Sequence, residues 1–303
     1  MNYLQLVQAA CNEMGIQSPS VVIGTTDQQI TQIGALANAV GNMLISQYEW
    51  QKVCKEHTFE LEQIETTGDV TSGSAVISGI PSTTGLAATT WGVSGNGIPA
   101  ATNILTVDGA TQVTMTYEAT DSGSDIDLTF TKLQYDLPSD FSKQINRTHW
   151  DRTNHWELLG PKSPQEQEWL KGAIVSTGPR VRYWIQGNKF QIWPLQVSVA
   201  NLVYQYISNS WIYASGGTAP TKSAFTVDTD TTIFRDRTMI AGIKYLFWQI
   251  KGFDTTAFEG QFRNEVEKEM AQDKGAPTLS LAPVYNSVLI SPANVPDGNV
   301  YGQ

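Results

Sequence analysis

Charge is what this chain has least of. Only 16 % of its 303 residues are charged, against a norm of roughly 25 %. Its surface must therefore be covered by Ser, Thr, Asn, Gln and Gly, or hidden in an assembly. The charge that is present leans acidic, with 19 Lys and Arg against 29 Asp and Glu and a formal net charge of -10. Tight non-specific DNA binding needs cations that displace counterions from phosphates, so this balance excludes a DNA-gripping role. It still allows a pore through which DNA slides, because an acidic wall repels the duplex. Metal-ligating side chains are also scarce. The two cysteines, Cys11 and Cys54, read as buried reduced thiols, and three scattered histidines leave no zinc set. No apolar run approaches the roughly 18 residues of a membrane span. The opening "MNYLQLVQAACNEMG" lacks the basic region of a secretory signal.

What is there is patterned. Asn2 can cap a helix over residues 2 to 14, with Tyr3, Leu6, Val7, Ala10 and Met14 on one stripe and Gly15 as its stop. Thr26 and Gln29 have capping-box spacing for a second helix, running to about Trp50 with Ile30, Ile33, Ala37, Val40 and Leu44 on one face. Gly34 and Gly41 on an adjacent strip mark either a close helix contact or plain tolerance. "VCKEHTFELEQ" alternates as a strand. From Thr66 to Thr131 there is no Lys, Arg or His, and short alternating runs separated by turn residues predict an inserted all-β sandwich. The strands flanking it, 53 to 63 and 132 to 136, are expected to pair at its base. In "YDLPSDF", Ser139 or Asp140 can cap a short helical turn. "RVRYWIQGNKFQIWP" reads as a hairpin turning near Gly187-Asn188, with Val181, Tyr183 and Ile185 facing Phe190 and Ile192, and "NLVYQYIS" as a further strand. An apolar helix over 231 to 251 and a second one, begun by Asp254 and striped by Phe258, Phe262, Val266 and Met270, form an αα-hairpin. The fold class is thus α+β: a helical core made of an N-terminal helix pair and a C-terminal αα-hairpin, a small antiparallel sheet, and the inserted sandwich. The expected divisions are 1-65 with 132-275 as core, 66-131 as insert and 276-303 as an extended arm. That arm holds no Lys or Arg, and Pro277, Pro283, Pro292 and Pro296 rule out a helix. Alone it cannot bury enough to order itself, so a partner or neighbouring subunit is expected to order it, by strand addition.

The stretch "HWDRTNHWELLGPKSPQEQEWLKG" gathers Trp150, Trp156 and Trp169, His149 and His155, and the acids Asp151, Glu157, Glu166 and Glu168. Aromatics beside acids can line a glycosidase cleft. Here Glu166 is explained by a capping box begun at Ser163 with Pro164 first in the helix and Gly172 after it, and Glu168 can pair with Lys171. His149 and His155 lack the spacing of a metal pair. There is no nucleophile elbow, phosphate loop or dinucleotide fingerprint, and "GVSGNG" has no helix after it. No catalytic residue, metal or cofactor is expected. Trp150, Arg152, Trp156 and Trp169 are instead the residue types enriched at interface centres. The bland alternative is that the rings fill the core.

Taken in order, "YDLPSDF", "WDRTNHWELLGPKSPQEQEWLKG" and "GPRVRYWIQGNKFQIWP" resemble the head-to-tail adaptor (connector) proteins of short-tailed bacteriophages, over roughly residues 1 to 65 and 132 to 275. "VSGNGIPAATNILTVDGATQVTMTYEAT" is similar to immunoglobulin-like modules of phage structural proteins. The resemblance implies a homo-oligomeric ring, usually of twelve subunits, in the neck of a virion assembled in the host cytoplasm. It would join the portal protein to a tail tube or nozzle protein, DNA passing through without specific binding and no membrane involved. The arm would reach into the portal, with Val284, Tyr285, Val288, Leu289 and Ile290 as anchor points. Two rivals have residues of their own: a peptidoglycan hydrolase using Asp151 or Glu157, and a carbohydrate-binding insert using Trp91.

Overall fold

The first helix, α1 (Tyr3–Met14), starts and stops where its capping residues stand. Asn2 accepts the Gln5 N–H at 2.9 Å, the Gln5 side chain accepts the Asn2 N–H at 3.1 Å, and Gly15 ends the helix at φ 70°. Helix α2 (Gln28–Gln47) is capped by Asp27 rather than Thr26. Its carboxylate accepts the Gln29 N–H at 2.8 Å, and its charge also suits the positive end of the helix. It stops before the expected Trp50, because Tyr48 turns extended and the Trp50 indole donates to the Leu44 carbonyl at 2.8 Å.

These helices belong to a mixed α+β protein, seen in a computed structural model that describes residues 1–160, 163–171, 182–193 and 199–274. Among the described residues are three further helices, α3 (Pro164–Lys171), α4 (Asp236–Ile250) and α5 (Thr256–Lys274), and several small antiparallel sheets. Helix α4 begins later than the sequence pattern implies. Thr231–Thr232 pairs with Ile212–Tyr213 as strand, and the N–H of Arg235 is taken by Glu269 of α5 at 2.9 Å. At the start of α5, the Asp254 carboxylate accepts the Thr256 N–H and hydroxyl.

Helices α1, α2, α4 and α5 share one core, in which Leu6, Ile33, Leu44, Trp50, Trp211 and Ile243 are shut from solvent. Two glycines on α2 are there for aromatic groups rather than for a helix. A Cβ on Gly41 would lie 2.1 Å from the Trp211 ring, and one on Gly34 would lie 2.5 Å from the Tyr3 hydroxyl. The close helix approach is made by Gly242 of α4, where a Cβ would meet Val40 at 2.6 Å.

The second core is aromatic and lies between two sheets. In one, Asn201–Ser208 is central, with Cys54–Glu60 along one edge and Phe141–Gln144 and Trp150–Asp151 along the other. In the other, the hairpin Arg182–Gln186 and Lys189–Trp193 turns through Gly187 and Asn188, at φ 59° and 60°, and adds Gln134–Asp136. Tyr183, Phe190, Trp193, Leu202 and Tyr204 fill the space between the sheets. The two strands expected to pair with each other at the insert's base do so only at their insert ends, where the Lys132 N–H reaches the Glu62 carbonyl at 2.9 Å; beyond that point Cys54–Glu60 joins Asn201–Ser208, and Gln134–Asp136 joins Lys189–Trp193. Each brings an aromatic, Phe59 or Tyr135, to this shared core. The expected helical turn at Asp140 is also absent. Its carboxylate instead accepts from Lys55 (2.6 Å), Ser208 (2.7 Å) and Tyr206 (2.9 Å), tying the turn before Phe141 to two strands, Cys54–Glu60 and Asn201–Ser208.

The third core lies in residues 63–132. Six strands follow one hydrogen-bonded path from Trp91–Gly95 through Gly123–Lys132, Gln63–Val70, Val76–Ser78 and Gln112–Met115 to Ile104–Gly109. The path nearly closes, since Gly92 bridges Asn103 and the Val93 N–H reaches the Thr102 carbonyl at 3.0 Å. The sheet curls on itself, in place of the two separately paired layers of a sandwich. Register shifts between Gly68 and Val70 and along Ile104–Gly109 supply the curvature. Ile77, Val93, Val113 and Phe130 fill its interior, and Trp91 is buried with them. Entry and exit strands run side by side, with Gln63 opposite Thr131.

Candidate interaction surface

The aromatic stretch builds a short ribbon on the edge of the five-stranded sheet. Trp150–Asp151 pairs with Trp156–Glu157, and the four residues between make the turn. That turn is held by Asp151, which is only 2 % exposed. One of its oxygens accepts the N–H groups of Thr153 (2.9 Å) and Asn154 (3.0 Å), and the other accepts the Asn154 side-chain amide (2.8 Å). Such side chain-to-backbone bonds are how Asp builds turns. His155 closes the turn in a left-handed conformation at φ 58°.

Strand alternation then sorts the rings. His149 points inward and is 1 % exposed. It stacks on Tyr183 with centroids 4.0 Å apart and on Tyr204 at 5.3 Å. Neither of its ring nitrogens has a hydrogen-bond partner among the described residues. Burial holds its pKa down at about 4, so the ring is neutral and packs as an aromatic. Trp150 is half-buried and, with Arg152, Arg147, Glu56 and His155, lines an open groove of about 430 Å³. Arg152 reaches Glu56 at 2.9 Å. Trp156, opposite Asp151 in the ribbon, is 42 % exposed.

The four residues marked by the sequence as an interface therefore separate. Trp150, Arg152 and Trp156 share the ribbon. Trp169 lies on a different element, α3, where it is 53 % exposed. Ser163 starts that helix by accepting the Glu166 N–H at 3.2 Å, while Gly172 lies outside the described residues. The core reading of these rings fails for Trp156 and Trp169, which are open to solvent, and Trp150 is half-buried; the tryptophans that do fill cores, Trp50, Trp91, Trp184, Trp193 and Trp211, stand elsewhere in the chain. The arm residues Val284, Tyr285, Val288, Leu289 and Ile290, and Val181 of the hairpin, also lie outside the described residues.

The acids of the stretch are occupied. Both oxygens of Asp151 accept the bonds given above, and Glu157 pairs with Arg147 at 3.7 Å. Among the described residues, no group of three or more His, Cys, Asp or Glu could hold a metal ion, and no helix is long and apolar enough to cross a membrane. Sequence reasoning missed two surface features. One is the turn between α4 and α5, where Ile250 and Phe253 stand 57 % and 62 % exposed. The other is a groove between α2, α4 and α5, whose half-buried Met43 and Met270 were the available signal. No protein-family model matches the chain, and no curated protein matches it.

Proposed function

We propose that the protein is a structural head-to-tail adaptor of a phage virion, a non-enzymatic ring subunit that joins the portal to the tail and lets DNA pass. The observation that carries the reading is the exposure of Trp156 and Trp169 on the body that also presents Arg152. Large rings open to water, of the type that anchors interfaces, on a chain this poor in charge support that reading. The domain reading that goes with it is a helical and aromatic core from 1-65 and 132-275, an inserted β unit at 66-131 and a portal-seeking arm at 276-303. It is supported by the separate apolar cluster of the six-stranded sheet and by the adjacency of that sheet's two ends.

Two of the residues named by the rival readings are otherwise engaged. Both oxygens of Asp151 hold its own turn, which leaves Glu157, 3.7 Å from Arg147 through one oxygen, as the carboxylate of a hydrolase reading. A sugar-stacking ring must be open, and Trp91 is 4 % exposed. The test is the mass of the purified protein in solution, alone and then mixed with portal protein. A chain that becomes a defined ring on the portal, and fails to do so without residues 276–303, supports the adaptor. Unimpaired portal binding by the truncated chain removes the arm's role. A chain indifferent to portal removes the reading.

A further inference from the structure

A groove of about 580 Å³ runs along α5, between it and the neighbouring parts of α2 and α4. Buried Phe262 and Val266 line it, as do half-buried Met43 of α2, Tyr245 of α4 and Met270 of α5. At its rim Arg263 and Glu267 pair with each other at 3.3 Å, so two of the rim's charges cancel. Unbranched methionine side chains adapt to an irregular apolar occupant. The groove is thus suited to an uncharged, apolar peptide.

The chain carries such a peptide. Residues 275–303 follow Lys274, the last residue of α5, and Lys274 stands one turn beyond Met270. Within them the densest apolar run, Val284 to Ile290, holds no charged residue and is bracketed by Pro283 and Pro292. Those prolines keep it from extending into a helix. The run begins ten residues after Lys274, a reach of up to ~33 Å in extended chain. Along α5, from Met270 back to Glu259, the groove covers only ~17 Å. Gly275 and Pro277 stand where the chain would have to reverse. A short tether also holds the run at a local concentration of the order of millimolar, which favours a chain's own arm over a second copy's.

We infer that the groove between α2, α4 and α5 is the docking site of the chain's own segment Val284 to Ile290. The segment then shields its apolar side chains in the unassembled subunit and leaves the groove when a stronger partner takes it. This inference goes beyond the adaptor reading and does not need it, since groove and tether are the same whatever the ring joins.

The test places a photoreactive benzoylphenylalanine at position 289 of the full-length chain, irradiated alone at low micromolar concentration. The expected result is intramolecular cross-linking to the peptides that bear Met43, Tyr245 or Met270, lost in Met43→Glu and in Met270→Glu. Both substituted side chains are partly open to water, and unchanged circular dichroism will check that the fold stands. No cross-link, or one to any other part of the chain, overturns the assignment. Cross-linked dimers whose yield rises with concentration assign the groove to a second copy's arm and overturn it as well. Portal binding is measured apart from this, so either proposal can fail while the other stands.

Discussion

At the scale of single residues, burial decides behaviour that residue type leaves open. His149, already set apart from His155 by its spacing, sits flat against Tyr183 and Tyr204, and neither of its nitrogens has a partner among the described residues. An unfolded chain takes up this proton near the ordinary value of about 6.5, the folded chain only at about 4. Between those values the unfolded state binds more protons, so stability falls as pH drops through that window and levels off below it. The loss is on the order of 3 kcal/mol. In His149→Phe the ring stack persists and this part of the loss disappears. Urea unfolding of both chains at pH 7 and near the folded pKa measures the difference, and equal losses in the two chains would refute it. Asp140 acts lower on the scale. Burial raises its carboxyl, but the bonds from Lys55, Ser208 and Tyr206 outweigh that and hold its pKa below the usual range. Its contribution is present above the unfolded carboxyl's pKa and is lost as pH falls through the folded value. The two residues therefore report on separate pH windows.

At the scale of elements, legibility follows distance along the chain. Helices α1, α2 and α5 could be read because their caps and stripes lie within a few residues of one another. The role of Asp140 could not, because its partners stand 85, 68 and 66 residues away and a local reading sees only a helix cap. The two-residue strands of the ribbon were equally hidden, since their pairing is fixed by the distant strand Asn201–Ser208. Gly41 is an intermediate case: its spacing was visible, but the indole it admits comes from Trp211. Gly41→Ala is expected to destabilise the protein by roughly 1 to 3 kcal/mol, the cost of overpacking a filled core. Trp211→Phe, destabilising by itself, should cost less in the Gly41→Ala background than in the native one. Thermal unfolding of the single and double variants gives that coupling, and simple additivity would mean that the two residues do not share the space.

At the scale of the whole molecule, the sequence offered the composition of an interface but not which of its rings are open. Trp150, Trp156 and Trp169 look alike in a string, and only packing leaves the first half-buried and the other two open to solvent. Trp156→Ala and Trp169→Ala should leave the stability of the isolated subunit within about 0.5 kcal/mol of native. Under the proposed adaptor function, each should weaken assembly by roughly 1 to 2 kcal/mol or more, read as a shift in the concentration at which the proposed ring appears in sedimentation. A large loss of subunit stability with assembly unchanged would return both rings to a purely structural role. The six-stranded sheet bears on the molecule in a different way. Its first and last strands are hydrogen-bonded neighbours, with Gln63 opposite Thr131 and the Lys132 N–H on the Glu62 carbonyl at 2.9 Å. A two-residue turn in place of residues 64–131 should therefore leave a soluble chain that unfolds cooperatively. It would lose the contacts from Thr89 and Thr90 to Gln134 and Leu133, and a broad, non-cooperative melt would show the sheet to be indispensable. For a genome, such geometry makes the stretch a cassette: recombination can add it, drop it or trade it for another without redirecting the path of the chain on either side.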